Sequence, residues 1–385
     1  MSAEYELTWQ TPGAVTLGTL HSLISCSYAR ADKSPGDMSL FLPLETYDDS
    51  WFVPFSRLLV HRSVDGNESV LDLETSWFLI DGPHHTLSED GSEVIELDLV
   101  DALGLILPTT LIPYDDYSAY TYKLAAADDM CKAIVRENRG TLALDTTRSI
   151  SGYMNVASDE TAAPVIRLGG FAHEYALDVL QDIADASAND DTPTWMGFDI
   201  VLADAVTGLL EFRTYIGQRG ADHRFPDGTK PVLLSPETGN LADVRIGVSY
   251  RDSASVIYAG GAGIADLRPV TTEQDTALLA LSPFGRRERF VDASTIADAG
   301  TLQARAKAEL RKARPRRYLE GRIIETEKAL RGVHWNYGDY LTATYRGATY
   351  DVRADKISVK LTPAPGGGFI EKTEAHLRGE EAVGT

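Results

Sequence analysis

The stretch Gly321 to Leu361, GRIIETEKALRGVHWNYGDYLTATYRGATYDVRADKISVKL, sets the fold class of this chain. Ile323 and Ile324 are expected to open a strand, and Trp335-Asn336-Tyr337-Gly338-Asp339 reads as a Gly-Asp turn. Leu341, Ala343 and Tyr345 then alternate with Thr342 and Thr344, the period-2 pattern of a strand with one buried face. Arg346-Gly347 reverses the chain and Tyr350 and Val352 carry the return. Ile357, Val359 and Leu361 form one more alternating run beyond a bend at Asp355-Lys356. This is a β-meander. No nucleophile, base and orienting group form a set within it, so the stretch reads as a wall.

Upstream of the meander, Leu302, Ala306 and Leu310 line one edge of a helix expected from about Thr301 to Arg314, halted by Pro315. Before it, Val244, Ile246, Val248 and Tyr250 oppose Arg245, Ser249 and Arg251. Val256 and Tyr258 are expected as the partner strand across Asp252-Ser253. Ala127, Met130, Cys131, Ile134 and Val135 follow helical spacing, and Asn138-Arg139-Gly140 closes that helix. A second helix is expected from about Ala172 to Ala188, with Ala176, Leu177, Leu180, Ile183 and Ala184 on one side. A hairpin follows, Phe198 to Leu202 and Leu210 to Ile216, turning at Val206-Thr207-Gly208.

Residues 1 to about 108 read as short strands. Leu58 to Val64 precede Asp65-Gly66-Asn67, a hairpin signal, and Val70, Leu71 and Leu73 resume it. Trp77 to Ile80 is a further strand, and Ile95, Leu97 and Leu99 face away from Glu96 and Asp98. Frequent turns between short strands suggest a small barrel or sandwich. Beyond Leu361, Pro363, Pro365 and Gly366-Gly367-Gly368 read as a flexible loop, followed by a short strand Phe369 to Thr373 and a polar tail.

At 385 residues the chain exceeds what one core serves, so roughly two to four domains are expected. Hydrophobic content of 43% with 24% charged residues is that of a soluble globular protein. The formal net charge of -21 argues against a nucleic-acid binder, which needs cations to neutralise phosphates, and against docking on an anionic membrane. The bland account of that charge is solubility. Cys26 and Cys131 are the only cysteines, too few for a disulfide framework or a metal spacing. Met-Ser-Ala-Glu-Tyr-Glu lacks the regions of a signal peptide, and the longest apolar run, Ala102 to Leu107, is too short to cross a bilayer. The expectation is a protein made and assembled inside a cell.

Candidate chemistry is thin. Gly260-Gly261-Ala262-Gly263 lacks the Lys-Ser/Thr of a phosphate loop and reads as a strand end. His84-His85 has no third ligand at zinc-like spacing, and His173-Glu174 is followed by Leu177 where a zinc-protease helix needs a second His. The pairs Asp115-Asp116, Asp128-Asp129 and Asp190-Asp191 read as solvated loops and a helix N-terminal turn. Trp335 and Tyr337 beside Gly338 are amenable to stacking on sugars, but their place in a meander turn favours a core role. Arg305, Lys307, Arg311, Lys312, Arg314, Arg316 and Arg317 form a basic cluster. Two readings stand side by side: cations complementing a helix C-terminus, and a contact with an acidic face of a neighbouring subunit.

The small-residue helix, the strand opened by Gly321, and W-x-x-G-D at Trp335 to Asp339 followed by short strands resemble the C-terminal part of tail hub proteins of long-tailed bacteriophages. The helix around Ala127 to Val135, that around Leu177 to Ala184, and Asn240-Leu241 leading to a strand ending near Gly260-Gly261 extend the resemblance over most of the chain. Such proteins, also described as baseplate-hub or tail-associated proteins, are similar to the trimeric hub of contractile tails.

The resemblance implies a multidomain, β-rich α+β fold with two small antiparallel β-barrel tube domains. The first would span 1–108 and the second 231–265 with 319–377. A peripheral α+β domain (109–230), a helical insertion (266–318) and a mobile tail (378–385) would complete the chain. Trp335, Tyr337, Gly338 and Asp339 would form a structural turn of the second barrel. The implied partners are two further copies in a homotrimer, distal tail and tail-tube rings, a tape-measure protein, and a downstream tail-tip, fibre or receptor-binding protein. DNA would pass only in transit. No cofactor, catalytic residue, metal or membrane insertion is implied. The place would be the virion tail tip or baseplate, after assembly in the host cytoplasm. With no fibre, peptidase or lysin segment before Thr385, host recognition or wall digestion would lie on other proteins. A tail-associated hydrolase and a carbohydrate-binding module are the rival readings.

Overall fold

The computed structural model describes residues 3–379 except 45–48, 65–67, 88–90, 92, 113–121, 144, 170, 172, 189–193, 265–266 and 295. Its largest feature is a 15-stranded sheet. Along the main path the strands run Leu241–Ser249, Arg316–Ile323, Phe369–Gly379, Ala348–Pro363, Ser25–Ala31, Ser34–Pro43, Glu93–Asp101, Trp77–Leu79, Arg57–Val64, Ala3–Gln10 and Thr16–Thr19. Tyr340–Tyr345 branches from Ala348–Pro363 and carries Leu233–Leu234 in parallel. The fold is thus β-rich α+β, dominated by antiparallel pairing.

Strands from the two ends of the chain meet at one seam. Lys356 to Leu361 pair antiparallel with Ala31 to Cys26. Ile357, Val359 and Leu361 point inward on one side of that seam and Cys26 and Tyr28 on the other, all buried. They belong to one core that also holds Leu7, Trp9, Trp77, Leu97, Leu341 and Trp335. Each such aliphatic side chain contributes roughly 1.5–3 kcal/mol by leaving water.

The meander differs from its sequence reading in two places. Ile323 ends a strand, Arg316–Ile323, rather than opening one. Asp355-Lys356 is no bend between strands: Ala348–Pro363 is continuous, with a register shift between Ala354 and Lys356. The extra residue re-phases the alternation, so that Val352 and Ala354 before it and Ile357, Val359 and Leu361 after it all face the core. Ala364 to Gly368 form the tight end of a hairpin, Ala364 N donating to Gly368 O at 3.0 Å, and the last strand runs on to Gly379. The tail beyond Gly379, and the turn Asp65-Gly66-Asn67, lie outside the described residues. Arg57–Val64 does pair with Val70–Leu71 around that turn.

A second core lies between helices Ala127–Asn138 and Ala176–Ala188 and the sheet Met154–Val156, Leu209–Ile216, Met196–Asp204. The second helix therefore begins four residues later than expected. It buries Val179 and Ser187 with Ala176, Leu180, Ile183 and Ala184, while Leu177 is only half-buried. Asp128 and Asp129 fall in the first turn of their helix, as expected, and Asp128 is buried, its carboxylate accepting from Ala162 N at 3.1 Å and Ala163 N at 3.2 Å. Asp115-Asp116 and Asp190-Asp191 lie outside the described residues.

The third core corrects a pairing. Val256–Gly260 does not pair with Leu241–Ser249, whose neighbour is Arg316–Ile323. It is instead the middle strand of a separate sheet with Val270–Gln274 and Glu288–Asp292, packed on helix Ala299–Lys312. Segment 266–318 therefore holds strands as well as helices. In the sequence, polar residues such as Thr272, Glu273 and Gln274 mask the period of those outer strands.

Candidate functional site: the Trp335–Asp339 turn and the buried ion networks

The Trp335–Asp339 turn is where the meander grips the rest of the molecule. Gly338 sits at φ +87°, and a Cβ there would press on the Arg219 side chain at 2.8 Å. Only glycine takes that geometry without strain. Asp339 Oδ1 accepts from Ala221 N and its Oδ2 from Asn336 N, both at 2.6 Å. His223 Nε2 stands 3.5 Å from the same carboxyl. Tyr340 N donates to Ala221 O at 3.0 Å and His223 N to Tyr340 O at 2.9 Å, so segment 220–223 is laced to the strand that follows the turn. Trp335 and Tyr337 are buried, the indole donating to Ala329 O at 3.3 Å. No sugar can stack on rings placed there.

Tyr337 borders the first of two buried ion networks. Arg219 lies 4.7 Å and Arg30 5.9 Å from the centre of its ring. Arg30 donates to Asp101 at 3.1 Å, to Leu73 O at 2.6 Å and to Asp199. Arg219 donates to Asp199 as well and to Glu74 at 3.1 Å. Burial pushes Asp199 upward, but Arg30 and Arg219 outweigh it and hold the carboxyl below its usual range. At Asp101, which faces Arg30 without the second arginine, burial wins and the value rises. The network ties the N-terminal strands (Arg30, Asp101) to the second core (Asp199) and to the Tyr337 turn.

The second network gathers around Arg331. Arg331 donates to Asp72 at 2.6 Å, to Glu371 at 3.1 Å and to the Tyr5 hydroxyl at 3.1 Å. Arg62 donates to Arg331 O at 2.6 Å, Glu325 at 2.8 Å and Glu371 at 2.9 Å. Tyr28 donates to Asp72 at 2.5 Å. Burial raises Glu371, and Arg331 and Arg62 more than reverse it, bringing the carboxyl down to about 2. Charges this deep are tolerated because their partners are in place; one left alone would cost several kcal/mol.

Three members of the basic cluster turn onto the chain itself. Arg305 reaches Asp182 at 3.3 Å and Glu309 at 3.1 Å, Lys312 reaches Asp185 at 2.7 Å, and Arg314 reaches Asp275 at 2.8 Å. Lys33 joins Asp185 at 3.2 Å. The acidic face that Arg305, Lys312 and Lys33 meet is that of helix Ala176–Ala188. Arg316 and Arg317 lie in a strand paired with Ser249 and Val248.

The remaining candidates stay apart. His84 and His85 sit on an exposed strand, paired with Glu96 and Ile95. Among the described residues no three His, Cys, Asp or Glu side chains gather as a metal site. Both cysteines are buried, and burial alone pushes Cys26 up to about 12. No helix among the described residues is long and apolar enough to cross a membrane.

The sequence reading missed the network residues, although a signal was present. Arg30 continues the inward series Cys26, Tyr28; Asp101 continues Ile95, Leu97, Leu99; Glu371 opens Thr373, Ala375, Leu377. A charge standing in the apolar phase of a strand marks a paired buried ion.

This architecture is that of phage tail proteins. The 43 kDa tail protein of prophage MuSo2 from Shewanella oneidensis superposes with a TM-score of 0.58 at 14% identity, over 98% of both chains. A tail protein from Neisseria meningitidis MC58 gives 0.56 at 13% identity, over 98% of this chain and 97% of that one. The Francisella PdpA–VgrG complex gives 0.51 at 8% identity over 98% of this chain, which spans 52% of the matched one. No curated protein matches. The chain belongs to the Siphovirus ReqiPepy6 Gp37-like protein family, which matches residues 14–366.

Proposed function

We propose that this chain is a structural tail hub, which assembles as a homotrimer into a ring of pseudo-six-fold symmetry between the tail tube and the tail tip. The observation that carries the reading is the likeness to whole tail proteins over nearly the full length. Each copy would present two β modules, one from the N-terminal strands and one from segments 231–265 and 319–377, without the strand Val256–Gly260, which belongs to the small separate sheet. The ring would then match a six-fold tube on one side and a three-fold tip on the other. The seam between Cys26–Ala31 and Lys356–Leu361 supports this reading, because it holds the two modules rigidly together. Distal tail rings, a tape-measure protein and a tip or fibre protein would be its neighbours, and its place the virion.

Part of the chain's excess of carboxylates would line the bore. Phosphates passing a like-charged wall find no sticking points, whereas a basic wall would hold them. Screening over about 8 Å at physiological salt confines this effect to residues near the wall. The burial of Trp335 and Tyr337 removes the surface on which a carbohydrate-binding reading depended. Negative-stain imaging of concentrated protein and of disrupted tails tests the proposal: three-fold rings with a central channel are expected, and a strict monomer in both preparations would overturn it. A bore that is basic or wholly apolar would end the electrostatic part.

A further inference from the structure

The small sheet leaves one face without a layer. Its register puts Tyr258 opposite Thr272 and Phe290, and Gly260 opposite Val270 and Asp292. Directly paired residues project to the same side, so these form one face, while Ile257, Ala259 and Val291 face helix Ala299–Lys312. On the open face Phe290 is 56% exposed and Val270 54%, and Leu267 beside them is 88% exposed. Ile264, in the same loop as Leu267, is also exposed. Phe284, on the loop at the other end of the sheet, is exposed as well.

The polar groups of this face are already matched. Gly260 has no side chain, so Arg268 lies across the central strand, 5.2 Å over the Phe290 ring. Arg268 donates to Gly260 O at 2.8 Å, Gly261 O at 3.0 Å and Asp292. Arg286 donates to Glu288 at 2.6 Å and to the Tyr258 hydroxyl at 2.8 Å. Along this face Arg268 and Arg286 stand against Asp292 and Glu288, a balance of zero in a chain of net charge -21.

We propose that this face seats a second copy of this chain, an inference that rests on the trimeric reading above. The argument is electrostatic as well as apolar. Two copies carrying this excess of acid repel over most of their surfaces, and they approach closely only where the local charge is balanced. The open face combines that balance with uncovered Phe290, Val270 and Leu267.

The test pairs Leu267→Asp/Phe290→Asp with the conservative Phe290→Leu, measuring mass by light scattering and melting temperature for each. The expected result is a trimeric wild type and Phe290→Leu, with the double variant at least tenfold weaker in association and unchanged in melting of the protomer. A double variant as trimeric as the wild type would overturn this surface and leave the trimer standing. A wild type that stays monomeric when concentrated and forms no ring on tails would overturn the trimer itself. A wild type that covers this face only when another tail protein is added would assign it to that partner and overturn the proposal.

Discussion

The buried network around Arg331 and the exposed one between helices Ala176–Ala188 and Ala299–Lys312 use the same chemistry to different ends. Arg331 is 1% exposed and its partners Asp72 and Glu371 are 7% and 10% exposed. Lys312 and Asp185 are 42% and 30% exposed. Inside, each charge has lost its water and depends on its partners, so the pairing specifies which strands meet. Outside, water and salt take over whenever a pair opens, and the contact adds little. The buried pairs hold N- and C-terminal strands in one sheet; the exposed ones only steady an outer layer.

The sharpest way to break this contrast is Arg331→Met. Removing the cation strands Asp72 and Glu371 in the core, and a loss of about 3–5 kcal/mol is expected, read as a lowered denaturant midpoint. A loss under about 1 kcal/mol would mean that the network is no more than the surface kind.

Asp339→Ala comes next, since it orphans the Ala221 and Asn336 amides; a loss of about 2–3 kcal/mol is expected. Chemical denaturation would show it, and limited proteolysis should find new cuts in segment 217–230. An unchanged digest would deny the turn its role as a clasp.

Acidity probes the same network without mutation. The folded value of about 2 for Glu371 lies below the ordinary 4.5, because Arg331 and Arg62 outweigh burial. The stabilisation is therefore complete above about pH 4.5 and lost as pH falls through 2. Glu371→Gln should flatten that part of the stability profile; a profile of unchanged slope would contradict the assignment.

Asp32 carries the opposite sign. It lies at the turn of the seam hairpin, its amide donating to Asp355 O at 2.9 Å. Burial raises it from 3.8 to about 6 against the pull of Lys33 and Arg353. A carboxyl held higher when folded favours folding while protonated, so stability declines as pH climbs from about 3.8 through 6. Asp32→Asn should gain about 2–3 kcal/mol at pH 7.5 and nothing at pH 3. A loss at pH 7.5 would reverse the sign.

Lys312→Ala marks the small end, with a loss below about 1 kcal/mol that salt erases. A larger loss, insensitive to salt, would make the outer layer as specified as the seam.

How much of this was legible in the sequence follows from the range of each signal. Period and punctuation are local, so the meander, the helix Ala127–Asn138 and the hairpin Met196–Ile216 could be read from neighbouring residues. Pairing is not local. Leu241–Ser249 shows its buried face plainly, yet nothing in it names Arg316–Ile323 as its partner, and the adjacent Val256–Gly260 was the natural wrong choice. The bulge was legible in retrospect, because the apolar phase passes from even positions, Val352 and Ala354, to odd ones from Ile357 onward. Of the site, the turn was readable from Trp335, Gly338 and Asp339. The networks were not, since Arg62 and Glu371 stand 309 positions apart and only folding brings them together.

Cryo-electron microscopy of the chain in its assembled tail tests the account most directly. The reading predicts three copies closing around a channel, six related β modules facing it, carboxylates on its wall, and the Cys26–Leu361 seam intact within each copy. A map placing single copies on the tail periphery, with no channel between them, would contradict it.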